Sequence, residues 1–250
     1  MKMFSLAGKT AVVTGASRGL GQGMALGLAE AGANIIGAGI SEMTETKQKV
    51  EELGGRFYGI NADLSQPDGA KELAAKVLDH VESVDILVNN AGIIKRADAN
   101  VLDDASWREV LHVNLDAVFT LSREIGAHML EKGSGSIINV ASMLSFQGGL
   151  RVAAYTASKH AVAGLTKALA NEWAKKGVRV NAIAPGYMVT DNTEGIRTDE
   201  SRYAYISSRI PKGEWGLPDD LKGPVVFLAS EASNYVNGHI LAVDGGWLSA

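Results

Sequence analysis

The sequence predicts a doubly wound α/β fold, a parallel sheet with helices on both faces, and three observations carry that expectation. Short apolar runs recur along the 250 residues and are too apolar to alternate, as strands buried on both faces must be. Longer segments with helical spacing separate them, so strand and helix alternate and right-handed crossovers follow. The first strand also runs directly into a glycine-rich turn that opens a helix, Gly15-Ala-Ser-Arg-Gly19-Leu-Gly21.

The first strand is 9–14, Lys-Thr-Ala-Val-Val-Thr, and Met24, Ala25, Leu28 and Ala29 follow the turn at helical spacing. Residues 33–38 form a second strand and 42–53 a polar helix. Residues 56–60 form a third strand and 67–81 an amphipathic helix. The fourth strand, 84–88, ends at Asn89-Asn90-Ala91-Gly92. Residues 106–130 read as one long helix, N-capped by Ser106 with Glu109 completing a capping box. The fifth strand, 136–141, leads to Ser142, a helix over 155–175 follows, and 178–184 form the sixth strand. A helix over 221–230 precedes a last strand at 240–243. No linker divides the chain, so 1–250 reads as one domain, a routine length for α/β folds. Residues 188–215 are polar and weakly patterned, which predicts a mobile flap over the site.

Composition narrows the function. Hydrophobic residues make up 46% and charged residues 21%, an ordinary soluble globular profile. The net charge of -4 comes from interspersed acids and bases, with no basic tract for nucleic acid. No apolar run reaches membrane-spanning length and the start is too short and polar for a signal peptide, so a cytoplasmic protein is expected. Zero cysteines exclude disulfides, thiolate catalysis and cysteine-ligated metal. The five histidines show no metal-ligand spacing, so no metal is expected.

Tyr155 and Lys159 lie four apart in a helix, so both side chains emerge on one face. A free phenol, with a pKa of about 10, is a poor base at neutral pH, but a neighbouring ammonium together with a second cation, such as an oxidised nicotinamide ring, in a partly dry site favours the phenolate. Ser142, at the carboxyl end of a buried strand, lies where open α/β sheets bind ligands. The glycine turn points backbone NH groups and a helix N-terminus at a pyrophosphate. Its spacing, Gly15-x-x-x-Gly19-x-Gly21, departs from the generic dinucleotide fingerprint. The second strand ends Gly37-Ala-Gly-Ile-Ser41 without the acid that would bind a ribose 2′-hydroxyl. Arg18 in the turn can instead pair with a 2′-phosphate, which favours NADP and leaves NAD open.

In this order Thr14-Gly15-x-x-x-Gly19-x-Gly21, Asn89-Asn90-Ala91-Gly92, Asn114, Ser142, Tyr155-x-x-x-Lys159 and Pro185-Gly186 span the whole chain. The chain thereby resembles the short-chain dehydrogenase/reductase family. The resemblance implies a single Rossmann-type domain with a seven-stranded sheet, a homotetramer, and hydride transfer with a nicotinamide cofactor. It implies Tyr155 as general acid/base, Ser142 as hydrogen-bond donor to the substrate oxygen, Lys159 on the ribose hydroxyls and against the Tyr155 pKa, and Asn114 holding a relay water. It places Gly15, Ser17, Arg18, Gly19, Leu20, Gly21, Asp63, Leu64 and Asn90, Ala91 and Gly92 along the cofactor. Pro185, Gly186, Met188 and Thr190 would cover the nicotinamide. Ser142–Gly149, Ala170–Lys175, Asn181–Met188 and Tyr235–Gly238 are similar, more narrowly, to the sugar-acid branch, the 2-dehydro-3-deoxy-D-gluconate 5-dehydrogenases also described as 2-deoxy-D-gluconate 3-dehydrogenases.

A sugar acid carries a carboxylate and several hydroxyls, so its pocket needs a cation and polar donors. Lys95, Arg96 and Arg151 are the expected cations, one of which binds the carboxylate, and Gln147 is expected to bind hydroxyls. A 3-oxoacyl thioester reductase shares the catalytic set but needs an apolar channel, against which Ser145, Gln147 and Arg151 argue. A non-catalytic dinucleotide-binding regulator would have no use for an intact Asn, Ser, Tyr, Lys set. Asp244-Gly-Gly-Trp247 reads as a subunit contact, because its tryptophan is costly to leave in water.

Overall fold

Thr10-Ala-Val-Val-Thr14 has apolar side chains on both faces, and β1 (Thr10–Thr14) buries them between two helical layers. The computed structural model describes residues 2–250. After β1 come α1 (Gly19–Glu30), β2 (Asn34–Gly39), α2 (Thr44–Glu52), β3 (Phe57–Asn61), α3 (Gly69–His80) and β4 (Ile86–Asn89). The second half runs α4 (Asp104–Leu111), α5 (Ala117–Lys132), β5 (Gly135–Val140), α6 (Ala153–Trp173), β6 (Val178–Pro185), α7 (Glu194–Arg197), α8 (Glu200–Arg209), α9 (Lys222–Ala229) and β7 (Ile240–Val243).

All strand pairings are parallel, and the seven strands follow the order β3-β2-β1-β4-β5-β6-β7. Each strand feeds both layers by its two-residue period. Val13 and Ile138 pack with Met24 and Leu28 of α1 and Val225 and Leu228 of α9. Val12 and Ile137 face the other way, onto Leu73 and Val77 of α3, Leu121 and Ile125 of α5, and Leu169 and Trp173 of α6. The strand order reverses between β1 and β4, and a crevice opens beyond their carboxyl ends, where such sheets bind ligands.

The expected elements are present, with ends shifted by about one or two residues. Two expectations need correction. Ser106 is no N-cap: Asp103 caps α4, accepting from the Ser106 N–H at 2.8 Å and from its hydroxyl at 2.8 Å. Glu109, expected to close a capping box, pairs with Lys95 at 3.0 Å instead. Nor is 106–130 one regular helix, because a π turn at His112–Asp116 separates α4 from α5.

The segment 188–215 is likewise not featureless. Its polar sequence folds into α7 and α8, and the sparse apolar residues Ile196, Ile206 and, just past α8, Ile210 join Met143, Trp215 and Trp247 in a small separate core. Trp247, expected at a subunit contact, is 5% exposed within the chain itself, edge-on to Tyr187 with ring centroids 4.9 Å apart. Its apolar surface is covered without a partner.

Candidate active site

The glycine turn fits its place because side chains would not. Gly15 and Gly19 have φ of +68° and +57°, and a Cβ at Gly15 would lie 2.7 Å from the Asn90 amide nitrogen. A Cβ at Gly21 would overlap the Gly15 carbonyl oxygen. The turn is bolted to the end of β4: the Thr14 hydroxyl accepts from the Asn90 and Ala91 N–H groups at 3.0 Å each, and the Asn90 amide donates to the Thr14 carbonyl at 2.8 Å. α1 starts at Gly19 with no side-chain cap and no acid in its first turn. Its first N–H groups are therefore available to an anion.

Asn114 explains the π turn. Buried inside it, its Oδ1 accepts from the Ile93 N–H at 2.8 Å while Nδ2 donates to the Ile93 carbonyl at 2.9 Å and to the Ser158 hydroxyl at 3.2 Å. Ser158 in turn donates to the Tyr155 carbonyl at 2.7 Å. One amide thus ties the loop after β4 to the helix that carries Tyr155. Both of its N–H donors are spent on the protein, so the side chain positions the elements that frame the site.

Tyr155 and Lys159 occupy one face of α6, as their spacing requires, with the ammonium 5.5 Å from the phenol ring centroid. Burial pushes the Tyr155 phenol above its ordinary value, while the Ser142 hydroxyl and the Arg96 charge pull it the other way. Lys159 is itself buried, donates to the Val140 carbonyl at 2.6 Å, and is brought down to about 8 by desolvation. Ser142 begins a short 3-10 turn and accepts from the Leu144 N–H at 3.1 Å. Ser145, three residues on, accepts from the Ser142 N–H at 3.3 Å and donates to the Lys159 carbonyl at 2.6 Å. It is a strut between the β5 end and α6, a role its sequence position did not reveal.

A single cavity of about 1040 Å³ joins these parts. Gly15, Ser17, Arg18, Gly19, Leu20 and Gly21 form one end, with Asp63, Leu64, Asn90, Ala91 and Gly92 beside them. Lys95, Arg96, Gln147, Tyr155, Lys159 and Thr190 line the rest. Asp63 is held below the usual carboxylate range by hydrogen bonds from Ser65 and Gln66, and so presents a fixed anion.

Several expected residues fall elsewhere. Arg151 is outside the lining: it sits at φ +62° and pairs with Asp98 at 3.1 Å on the surface. Pro185, Gly186 and Met188 stand behind the wall, since Met188 is buried in the main core and Gly186 packs on the Asp244 backbone. Ser142 and Asn114 are also covered, at 7% and 1% exposed, beneath the Tyr155 face. Conversely, Tyr187, Arg202, Tyr205, Ile206, Arg209 and Trp247 line the cavity without having been singled out as substrate-facing. Arg202, Tyr205, Ile206 and Arg209 recur at helical spacing in the sequence, and that mixed cationic and aromatic face was the available signal.

The lining fits a nicotinamide dinucleotide by its own chemistry. An uncapped helix start and a cradle that a Cβ would fill suit a pyrophosphate, and the second ribose would lie by Ala38, Gly39, Ile40 and Ser41, which line the cavity without an acid. Arg18 faces this end, paired with Asp191 at 3.1 Å in an exposed ion pair of small worth. Among the described residues no group of acidic or histidine side chains is placed to hold a metal ion.

The family profile described as enoyl-(acyl carrier protein) reductase matches residues 15–248. The chain is 55% identical over 250 residues to a 2-dehydro-3-deoxy-D-gluconate 5-dehydrogenase of Escherichia coli, covering 100% of this chain and 99% of that protein. It is 58% identical to a protein of the same name from Bacillus subtilis, covering 98% and 97%. A proposed NAD(P)-dependent gluconate 5-dehydrogenase from Beutenbergia cavernae, crystallised with NADP at low occupancy, superposes with a TM-score of 0.96 at 54% identity, covering 99% of this chain and 100% of the other. Likeness of that extent, on the expected seven-stranded parallel sheet, leaves one assignment: the chain belongs to the short-chain dehydrogenase/reductase family.

Proposed function

We propose that the chain is an NADP-dependent oxidoreductase that interconverts a secondary alcohol and a ketone on a deoxy-sugar acid, of the 2-dehydro-3-deoxy-D-gluconate 5-dehydrogenase type named for its relatives. The observation that carries this reading is the convergence of a buried phenol and an arginine on a cavity continuous with the glycine turn, with the Ser142 hydroxyl acting on the phenol from behind the lining.

In the oxidative direction Tyr155 takes the proton of the alcohol oxygen while the carbon gives up its hydrogen with both electrons, and the oxygen's freed pair closes the carbonyl. Bound NADP supplies the hydride acceptor. Ser142 donates to the same oxygen, and Asn114 fixes the loop and helix that frame it. Lys159 holds the ribose hydroxyls. Gly15, Ser17, Gly19, Leu20 and Gly21 receive the pyrophosphate, and Asp63 and Leu64 meet the adenine. Asn90, Ala91, Gly92 and Thr190 line the path to the nicotinamide, with Pro185, Gly186 and Met188 supporting that wall. Gln147 and Lys95 face substrate hydroxyls, and Arg96 lies by the reacting oxygen. Cationic side chains on the wall suit an acid better than the thioester of an acyl carrier. The test is a rate measurement with purified protein, both nucleotides, a panel of keto-deoxy sugar acids and an oxoacyl thioester. Turnover confined to the thioester would sink the proposal.

Arg18 selects NADP by exchanging Asp191 for the 2′-phosphate. Arg18→Ala is expected to weaken NADP binding by about tenfold and NAD binding far less, read by fluorescence titration. Equal losses for both nucleotides would discard this role. Residues 188–215 act as a flap, since Asp191 reaches the glycine turn and the Asn192 carbonyl accepts from Arg96 at 3.2 Å. Hydrogen exchange in 188–215 should slow when NADP is added, and an unchanged rate counts against a closing flap. The same reading includes a cytoplasmic homotetramer. Exposed Trp107, Phe119 and Leu150 supply apolar contact surface, and no helix among the described residues is long and apolar enough to cross a membrane. A monomeric mass by light scattering would refute the assembly, and detection of the protein outside the cytoplasmic fraction would refute the location.

A further inference from the structure

The cationic groups along the cavity are not equivalent. Arg18 is paired with Asp191 and Lys95 with Glu109, at 3.1 and 3.0 Å, Lys159 is turned onto the Val140 carbonyl, and Arg96 spends one nitrogen on the Asn192 carbonyl. Arg202 and Arg209 differ: among the described residues neither has a carboxylate within ion-pair distance. They stand seven residues apart on α8, with Tyr205 and Ile206 between them, and all four line the cavity. That spacing puts them on one face of the helix.

Arg209 is also held in place. Its guanidinium carbon lies 4.2 Å from the Trp247 ring centroid and 5.9 Å from that of Tyr205, so aromatic faces restrict a side chain that would otherwise roam. The Trp247 indole N–H is buried with no acceptor among the described residues, a donor left unmet in the same wall.

Resting on the deoxy-sugar acid reading above, we infer that Arg202 and Arg209 form the subsite that takes the substrate's carboxylate, apart from Tyr155. The electrostatics of the wall agree with two separate ends. The charge that reaches the Tyr155 phenol is that of Arg96, whereas Arg202 and Arg209 act on the phenol of Tyr187. A carboxylate beside Tyr155 would favour the protonated phenol and oppose its work as a base. Held on α8, the anion avoids that conflict. The fork of a guanidinium suits a planar carboxylate, and two such groups exceed what a neutral terminus can use.

The test compares wild type, Arg202→Gln, Arg209→Gln and Arg209→Lys on 2-dehydro-3-deoxy-D-gluconate and on its neutral carboxamide. The ratio of kcat/KM for the acid to that for the amide should fall by about tenfold or more in each glutamine variant, mainly through KM, with partial recovery in Arg209→Lys. Calorimetric binding of gluconate in the presence of NADPH, which cannot accept a hydride, should weaken by a similar factor and so gives a readout without turnover. A hydroxy acid of equal length whose only alcohol adjoins the carboxylate should not be oxidised. Equal losses on acid and amide, or gluconate binding unchanged in both glutamine variants, would overturn the subsite while leaving the reaction intact. Oxidation of the adjacent alcohol would place a carboxylate beside Tyr155 and overturn the subsite. A wild type that turns over no sugar acid would fell both readings at once.

Discussion

Tyr155→Phe is expected to lower kcat/KM by about a thousandfold or more, at the upper part of what general acid–base catalysis contributes. The substitution keeps the ring and removes the one titratable group that Ser142 and Arg96 both influence. Nucleotide binding should persist, because the glycine turn, Asp63 and the Asn90 loop are untouched. Stopped-flow absorbance of the reduced nicotinamide and a fluorescence titration together check both halves. Turnover within about twofold of wild type would show that the proton moves elsewhere.

Lys159→Met should abolish measurable turnover and yet stabilise the fold at neutral pH. The ammonium is buried and its value is lowered from 10.5 to about 8. Below about pH 8 the folded chain must keep a charge out of water that the unfolded chain keeps in it. Between about pH 8 and the ordinary lysine value the unfolded state binds the extra proton, so wild-type stability rises with pH across that window. Removing the amine relieves a penalty of up to about 3 kcal/mol at pH 7, less what is lost with the Val140 hydrogen bond. In a chain of this size each kcal/mol is worth about 2–4 °C in Tm. Thermal unfolding at pH 7 and pH 10 should therefore show a variant that melts above wild type at the lower pH, with the gap closing at the higher. A gap that widened with pH would mean that the lysine is not buried as a charge. Stability surrendered at one residue is a common mark of a functional position.

Much of this architecture was legible because each piece had a local physical cause. Strands such as Ser136-Ile-Ile-Asn-Val140 are too apolar to face water, and alternation with helical segments forces parallel crossovers. The Tyr155 and Lys159 pair follows from helix periodicity alone, and the glycine turn from the close approach of Asn90. What escaped depended on contacts between distant segments. Asp103 outcompeted Ser106 as a cap, although both stand within one turn of each other. The π turn exists because Asn114 reaches the Ile93 backbone, which no window around residue 114 contains. Arg151 looked like a pocket cation from its position between Ser142 and Tyr155, but Asp98 draws it away. The lysine four residues from Tyr155 is visible in a sequence, whereas the burial that pushes the phenol up is not. Segment 188–215 hid its helices because α8 turns arginines and a tyrosine, in place of an apolar stripe, toward the cavity.

The central claim is that the Tyr155 phenol and the Ser142 hydroxyl address the same substrate oxygen. A crystal structure of the protein with NADPH and a non-reacting sugar acid tests it most directly, through the distances from that oxygen to Tyr155 Oη and Ser142 Oγ. Both should be about 2.5–3.2 Å, with the oxygen on a carbon remote from the carboxylate. A ligand seated in the cavity with its alcohols beyond hydrogen-bond reach of the phenol would contradict the assignment.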